Sequence, residues 1–183
     1  MSSNFLYTIS VPVWLRIIFD DTRFAWIWLL LRIYIGYEWL TAGYTKLISP
    51  MWVGEQAGTA ITGFFHQALE KTGGAHPDVS SWYAWFINTI ALPHATLFSY
   101  LVTFGELLVG LGLILGIFTA FAALGGAFMN VNFLLAGAVS INPPMLIIQI
   151  LLIRAWRIAG WYGGDRFMIK YLVKNRDKRK GIN

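Results

Sequence analysis

The chain has 183 residues, of which 57% are hydrophobic and only 13% charged, and its mean hydropathy is +0.58. A soluble domain carries nearer a quarter of charged residues, so this composition excludes an ordinary soluble domain and describes one compact integral membrane domain. The absence of cysteine excludes disulfides, a thiolate zinc site, iron–sulfur clusters and covalent haem attachment in this chain.

The net charge of +5 resides at one end. Asp165–Asn183 holds Arg166, Lys170, Lys174, Arg176, Lys178, Arg179 and Lys180 against Asp165 and Asp177. Beside a spanning helix such a run anchors to anionic lipid on the cytoplasmic side, and no nucleic-acid partner is expected.

In chain order, Met1–Arg23 is a lead-in without the basic stretch, apolar core and cleavage site of a signal peptide, so the first span is expected to serve as an uncleaved signal. Trp14 and Arg16 suit an interface, and Asp20-Asp21-Thr22 offers capping oxygens. Residues 24–43 form the first predicted span, carrying Arg32 and Glu38; six positions apart, these lie about 120° out of register and look to other helices. Tyr44–Pro93 is too long for a turn. Its apolar positions Ala57, Ile61, Phe64, Phe65, Ala68 and Leu69 follow helical spacing, and Ser80-Ser81 opens a second aromatic helix ending before Pro93. This loop is either a lid lying on the membrane or a packed cap without a ligand.

Residues 95–117, 119–139 and 143–163 are the remaining predicted spans. The second carries Glu106 among Gly105, Gly110, Gly112 and Gly116; the third carries Asn130 and Asn132; the fourth opens at Asn142-Pro143-Pro144, with Asn as cap, and contains Gln149, Arg154 and Arg157. The expected fold is thus an all-α membrane protein, a four-transmembrane-helix bundle with an extracytoplasmic helical loop between helices 1 and 2. Both termini, including the basic tail 164–183, are cytoplasmic in a multi-pass protein of the cell membrane.

Counted from the cytoplasmic ends, Arg32, Arg154, Glu106 and Asn130 fall about eight to eleven residues deep, within ~5 Å of one level. This predicts a buried polar layer with Glu106 countered by Arg32 or Arg154, and Arg157 one turn away. Such a layer either fixes helix register or binds a polar head and moves protons. Tyr34, Tyr37, Trp39 and Tyr44 either wall a cavity or belong to the core and interface belt. His66, His76 and His94 lie in or beside the loop without metal-ligand spacing, so neither a metal site nor a haem held by paired histidines is expected.

Several stretches resemble DoxX/DoxD-like membrane proteins. They are Leu31-Arg32-Ile33-Tyr34-Ile35-Gly36-Tyr37-Glu38-Trp39 through Lys46-Leu47, then Gly105-Glu106-Leu107-Leu108-Val109-Gly110, Met129-Asn130-Val131-Asn132, and Gly160-Trp161-Tyr162-Gly163-Gly164-Asp165-Arg166. The loop, with Trp52-Val53-Gly54 and Ala75-His76-Pro77-Asp78, is most similar to the DoxD-type large subunit of thiosulfate:quinone oxidoreductase. That resemblance implies oxidation of thiosulfate to tetrathionate with electrons passed to a membrane quinone, and a second small subunit. On that reading a quinone head lies near Glu106, Arg32 and Arg154, with Glu106 moving protons and Arg157, Asn130, Asn132, Trp39 and Glu38 completing the binding set. Lys46 and His76 are the cations available to thiosulfate. The competing expectation is a non-enzymatic scaffold whose basic tail recruits a soluble redox or sulfur-transfer protein. The absence of an internal repeat or broken helix disfavours a solute carrier, and self-association into a homo-oligomer is left open.

Overall fold

The computed structural model describes residues 12–168, 170 and 171, and among these all regular structure is helical. The expected tail charges Lys174, Arg176, Lys178, Arg179 and Lys180 lie outside the described residues.

α1 (Val13–Asp20) leads into a 3-10 turn, Thr22–Phe24, whose first backbone groups are capped by Asp21: its Oδ1 accepts from Arg23 N at 2.9 Å. The long α2 (Ala25–Leu47) follows, one turn longer than expected. The loop contributes α3 (Thr59–Glu70) and α4 (Ser81–Phe86). Here the structure corrects the sequence reading, because the helix does not stop before Pro93. It continues from α4 through a π turn (Ile87–Ala91) and a 3-10 turn (Leu92–His94) into α5 (Ala95–Leu115). Proline lacks one N–H, and the switch between helix types reroutes the hydrogen bonds around it.

α6 (Thr119–Leu135), α7 (Asn142–Arg154) and the short α8 (Trp156–Ala159) complete the chain. The last two expected spans are thus shorter than predicted, and the fourth is broken at Ala155. Asn142 does not cap α7; its amide donates to Ala138 O at 2.7 Å, leaving Pro143 and Pro144 to define the first turn. By length and composition one helix among the described residues, Ser81–Leu115, is long and apolar enough to cross a membrane, with α6 and α7 as shorter apolar helices.

α2 and α5 are antiparallel and locked by glycine. A Cβ on Gly36 would meet Ile114, one on Gly43 would meet Leu107, and one on Gly110 would stand 2.6 Å from Leu40 N. The register holds across all three pairs, so the two backbones touch along most of their shared length. α5 and α6 are joined by a three-residue turn in which Gly116 (φ 64°) and Phe118 (φ 51°) are left-handed. A bulky residue there is strained. Asp165 compensates: its carboxylate accepts from Phe118 N at 2.7 Å and Thr119 N at 3.0 Å, capping α6 from a distant part of the chain. At the other end of α6, Lys71 donates to Gly137 O at 2.7 Å. An acid at the N-terminus and a cation at the C-terminus both complement the helix dipole.

Two apolar cores result. One joins Trp28, Ile35 and Trp39 of α2 to Leu113, Met145 and Leu152; the other packs Ile61, Phe65, Val79 and Tyr83 of the loop against Ala136. The loop is therefore packed onto the end of the bundle.

Candidate functional site

Glu106 is 2% exposed on the face of α5 that meets α2. Its carboxylate accepts from Lys46 Nζ at 2.7 and 3.0 Å. This replaces the expected pairing with Arg32 or Arg154. The reason is register: with Gly43 opposite Leu107, a lysine three residues further along α2 reaches back to Glu106, whereas Arg32 lies opposite the turn at Gly116. Ten residues of α5 separate Glu106 from that turn, about 15 Å of helix. The Lys46 ammonium also sits 5.1 Å above the Trp52 ring, whose backbone carbonyl accepts from Ser99. Burial of an ion pair is tolerable only when both partners are present.

Arg32 is 1% exposed, donates to Tyr162 O at 3.2 Å and fills the space beside Gly116 and Gly163, where an added Cβ would collide with its guanidinium. It therefore cements the closing Gly163-Gly164-Asp165 segment onto the α5–α6 turn. Arg154 is half exposed, 3.8 Å from Asp20 and above the Phe19 ring. Arg157 is exposed over Trp156. The four-group polar layer does not assemble: α2 begins about two turns before it reaches the level of Gly116, so Arg32 stands beside the α5–α6 turn and not beside Glu106, while Arg154 faces Asp20 and Phe19.

The remaining expected residues divide between two places. Asn130 donates to Gln149 Oε1 at 2.7 Å, both fully buried, and Gly126 gives room for Gln149 and the Trp39 indole nitrogen. This cluster ties α6 to α7 and α2. Asn132 instead accepts from the Tyr83 hydroxyl, through its carbonyl at 3.0 Å and its side-chain oxygen at 3.3 Å. Glu38 is half-buried and joins none of the ion pairs among the described residues. His76 is exposed in the loop.

A groove of about 780 Å³ runs between α5 and α6, from Phe118 and Phe121 at the turn to Phe86, Tyr83 and Asn132 under the loop. Tyr83 and Asn132 are the two residues with polar side chains in its lining; the rest is aliphatic or aromatic, with Gly105, Gly112 and Gly125 at its floor. Glu106 and Lys46 lie across α5, outside it. Sequence reasoning missed the groove, Tyr83 and the Lys46–Glu106 pair. The signal for the pair was the helical register of Gly36, Gly43 and Gly110, which points Lys46 at Glu106.

The sequence model of the DoxX family matches residues 27–139, well over half of the chain. The chain belongs to the DoxX family. This is a membrane family associated with oxidoreductase-related subunits, and a lipid bilayer is its environment. The match takes in Arg32, Lys46, Glu106, Asn130 and Asn132 but stops short of Arg154, Arg157 and Asp165. No curated protein and no solved structure matches the chain.

Proposed function

We propose that this protein is the membrane subunit of a quinone-reducing oxidoreductase, with thiosulfate as the electron donor. The whole chain forms one integral domain in which α2, Ser81–Leu115, α6 and α7 are the four spans. Arg16, Arg23, Arg157 and Arg166 then share the cytoplasmic end, against Lys46 and Lys71 on the outer side, the bias in Lys and Arg that the positive-inside rule describes.

The observation that carries the reading is the α5–α6 groove. Its walls suit an isoprenoid chain, and its two polar groups sit together at one end, so the residues present fit an amphiphile of the quinone type. From Phe118 to Asn132 the groove follows about 21 Å of α6. The Tyr83 hydroxyl and the Asn132 amide would hold a quinone head near the outer surface. A quinone bound there supplies the electron sink: two thiosulfates give tetrathionate and two electrons, and a quinone takes two electrons and two protons to become a quinol. The protein contributes a dry apolar channel, two hydrogen-bonding groups at the head, and the buried pair Lys46–Glu106. Lys46, partly open beneath Trp52, is the cation at the outer end of α2, and Glu106 is the buried group able to exchange a proton.

The test is titration of a quinone analogue into the protein in nanodiscs, followed by tryptophan fluorescence. Saturable binding should weaken roughly three- to tenfold in each of Tyr83→Phe and Asn132→Leu, the worth of one hydrogen bond, and stay unchanged in Arg154→Ala. Binding that ignores both groove variants removes the groove from the mechanism. Saturable binding together with thiosulfate turnover lost in Glu106→Gln assigns Glu106 to proton movement; full turnover in that variant removes it.

A further inference from the structure

Among the membrane-facing surfaces, that of α2 stands apart. Beyond the first turn, the exposed side chains of α5 and α6 are hydrocarbon, such as Leu101, Leu108, Phe121 and Phe128. The outward face of α2 carries Tyr34 (48% exposed), Tyr37 (61%), Thr41 and Tyr44 (57%), with Glu38 at its edge. The α2–α5 register sets Tyr37 and Glu38 level with Leu113 and Gly112, about one helical turn inside the α5–α6 turn. The threonines satisfy themselves: Thr41 Oγ1 donates to Tyr37 O at 2.6 Å and Thr45 Oγ1 to Thr41 O at 2.7 Å. The three phenols and the Glu38 carboxylate have no side-chain partner among the described residues. Hydrocarbon offers them none, and a polar group left bare in it is costly.

We propose that this face is the interface for a second copy of the chain. Two copies inserted in one membrane share an orientation, so their α2 helices run parallel at one depth about a two-fold axis along the membrane normal. At 100° per residue Tyr37 and Glu38 point 100° apart, with Thr41 between them. With Thr41 at the axis, each two-fold contact sets the Tyr37 hydroxyl of one copy, as donor, beside the Glu38 carboxylate of the other. The pair forms twice and the two carboxylates are held on opposite sides. Thr41 is small enough for the backbones to approach. The face is therefore self-complementary in hydrogen bonding, whereas the α5 and α6 faces offer nothing that lipid does not. The inference rests on the four-span orientation proposed above but not on quinone or thiosulfate, so a failed substrate assay leaves it standing.

The absence of cysteine makes the test direct. The full chain carrying Thr41→Cys, oxidised in proteoliposomes at high lipid-to-protein ratio, should give a disulfide-linked dimer, while Leu108→Cys on the α5 face should stay monomeric. Single-molecule photobleaching in the same vesicles should show Tyr37→Phe and Glu38→Leu raising the dimer dissociation constant by roughly ten- to two-hundredfold each, because either substitution removes both symmetry-related hydrogen bonds. Glu38→Gln, which keeps an acceptor, should lie closer to the parent chain. Both positions are outward-facing, so circular dichroism should remain that of the parent. A monomer at all dilutions overturns the proposal, even one that associates with another polypeptide through this face. So does cross-linking at Leu108 without Thr41, or undiminished pairing of Tyr37→Phe.

Discussion

α5 has two glycine-bearing faces with opposite outcomes. Toward α2, a side chain added at Gly110 would strike the Leu40 backbone at 2.6 and 2.8 Å, so the helices are closed on each other, with Glu106 sealed between them and Lys46 reaching in from a partly open edge. Toward α6, a Cβ at Gly105 would meet only the end of the Met129 side chain at 3.2 Å, and one on Gly125 of α6 would meet Val109 Cγ2 at 3.5 Å. The second interface splays into the groove. Glycine alone does not decide how closely two helices approach; what stands opposite it does. On the closed face the opposing groups are backbone, and the ion pair adds a reason not to open. On the other, the three-residue turn pins α5 to α6 at one end only, and the aromatic loop helices spread them at the other.

The largest effect should come from breaking the closed face electrostatically. Lys46→Met leaves Glu106 buried without its cation and should cost about 3–5 kcal/mol, whereas the double variant Lys46→Met/Glu106→Leu should regain most of that loss. Unfolding in mixed micelles, followed by tryptophan fluorescence, measures both. A single variant as stable as the parent would mean that the pair is solvated rather than sealed. Steric breaking comes next. Gly110→Ala forces α2 and α5 apart against backbone that cannot rotate away and should cost about 1–3 kcal/mol, the usual range for overpacking.

The sequence carried much of this fold but little of the site. Helical periodicity, the Asp21 cap and the proline pair at 143–144 mark where helices begin, because those signals are local. Depth counting failed for Arg32 because it assumes every span starts at the same level. α2 begins after a 3-10 turn and α7 ends in a break, so residues at equal counts do not share a layer. Asp165 was visible only as the end of the last helix, since its partners, Phe118 N and Thr119 N, lie in a turn almost fifty positions away. The groove is a property of two helices failing to close, and no single stretch encodes it. Glu106 was legible as a buried acid, and its partner was readable from Gly36, Gly43 and Gly110 once they are taken as one register.

The turn that pins the open interface at its closed end gives an intermediate effect. Asp165→Ala removes both acceptors from the start of α6 and should cost about 1–2 kcal/mol, the upper range for an N-cap. Asp165→Asn keeps one acceptor oxygen but sets an amide NH2 against the other backbone N–H and loses the charge facing the helix dipole, so it should recover only part of that loss. Equal losses in the two variants would show that one retained hydrogen bond does not restrain the left-handed Phe118 and that the paired carboxylate oxygens are required.

The smallest effect is the most informative about the groove. Gly125 stands on its floor, and an added methyl there finds only ordinary van der Waals contact with Val109. Gly125→Ala should therefore change stability by no more than ~0.5 kcal/mol, the usual range for a substitution that creates neither clash nor cavity. Gly110→Ala, the same chemical change on the closed interface, should cost several times more. The pair is a measurement of interface geometry that needs no ligand: both replace glycine by alanine within an apolar helix, so helix propensity and side-chain entropy are matched and what differs is the opposing surface. If Gly125→Ala destabilised the protein as much as Gly110→Ala, α5 and α6 would be closed in solution as tightly as α5 and α2, and there would be no channel for an isoprenoid chain.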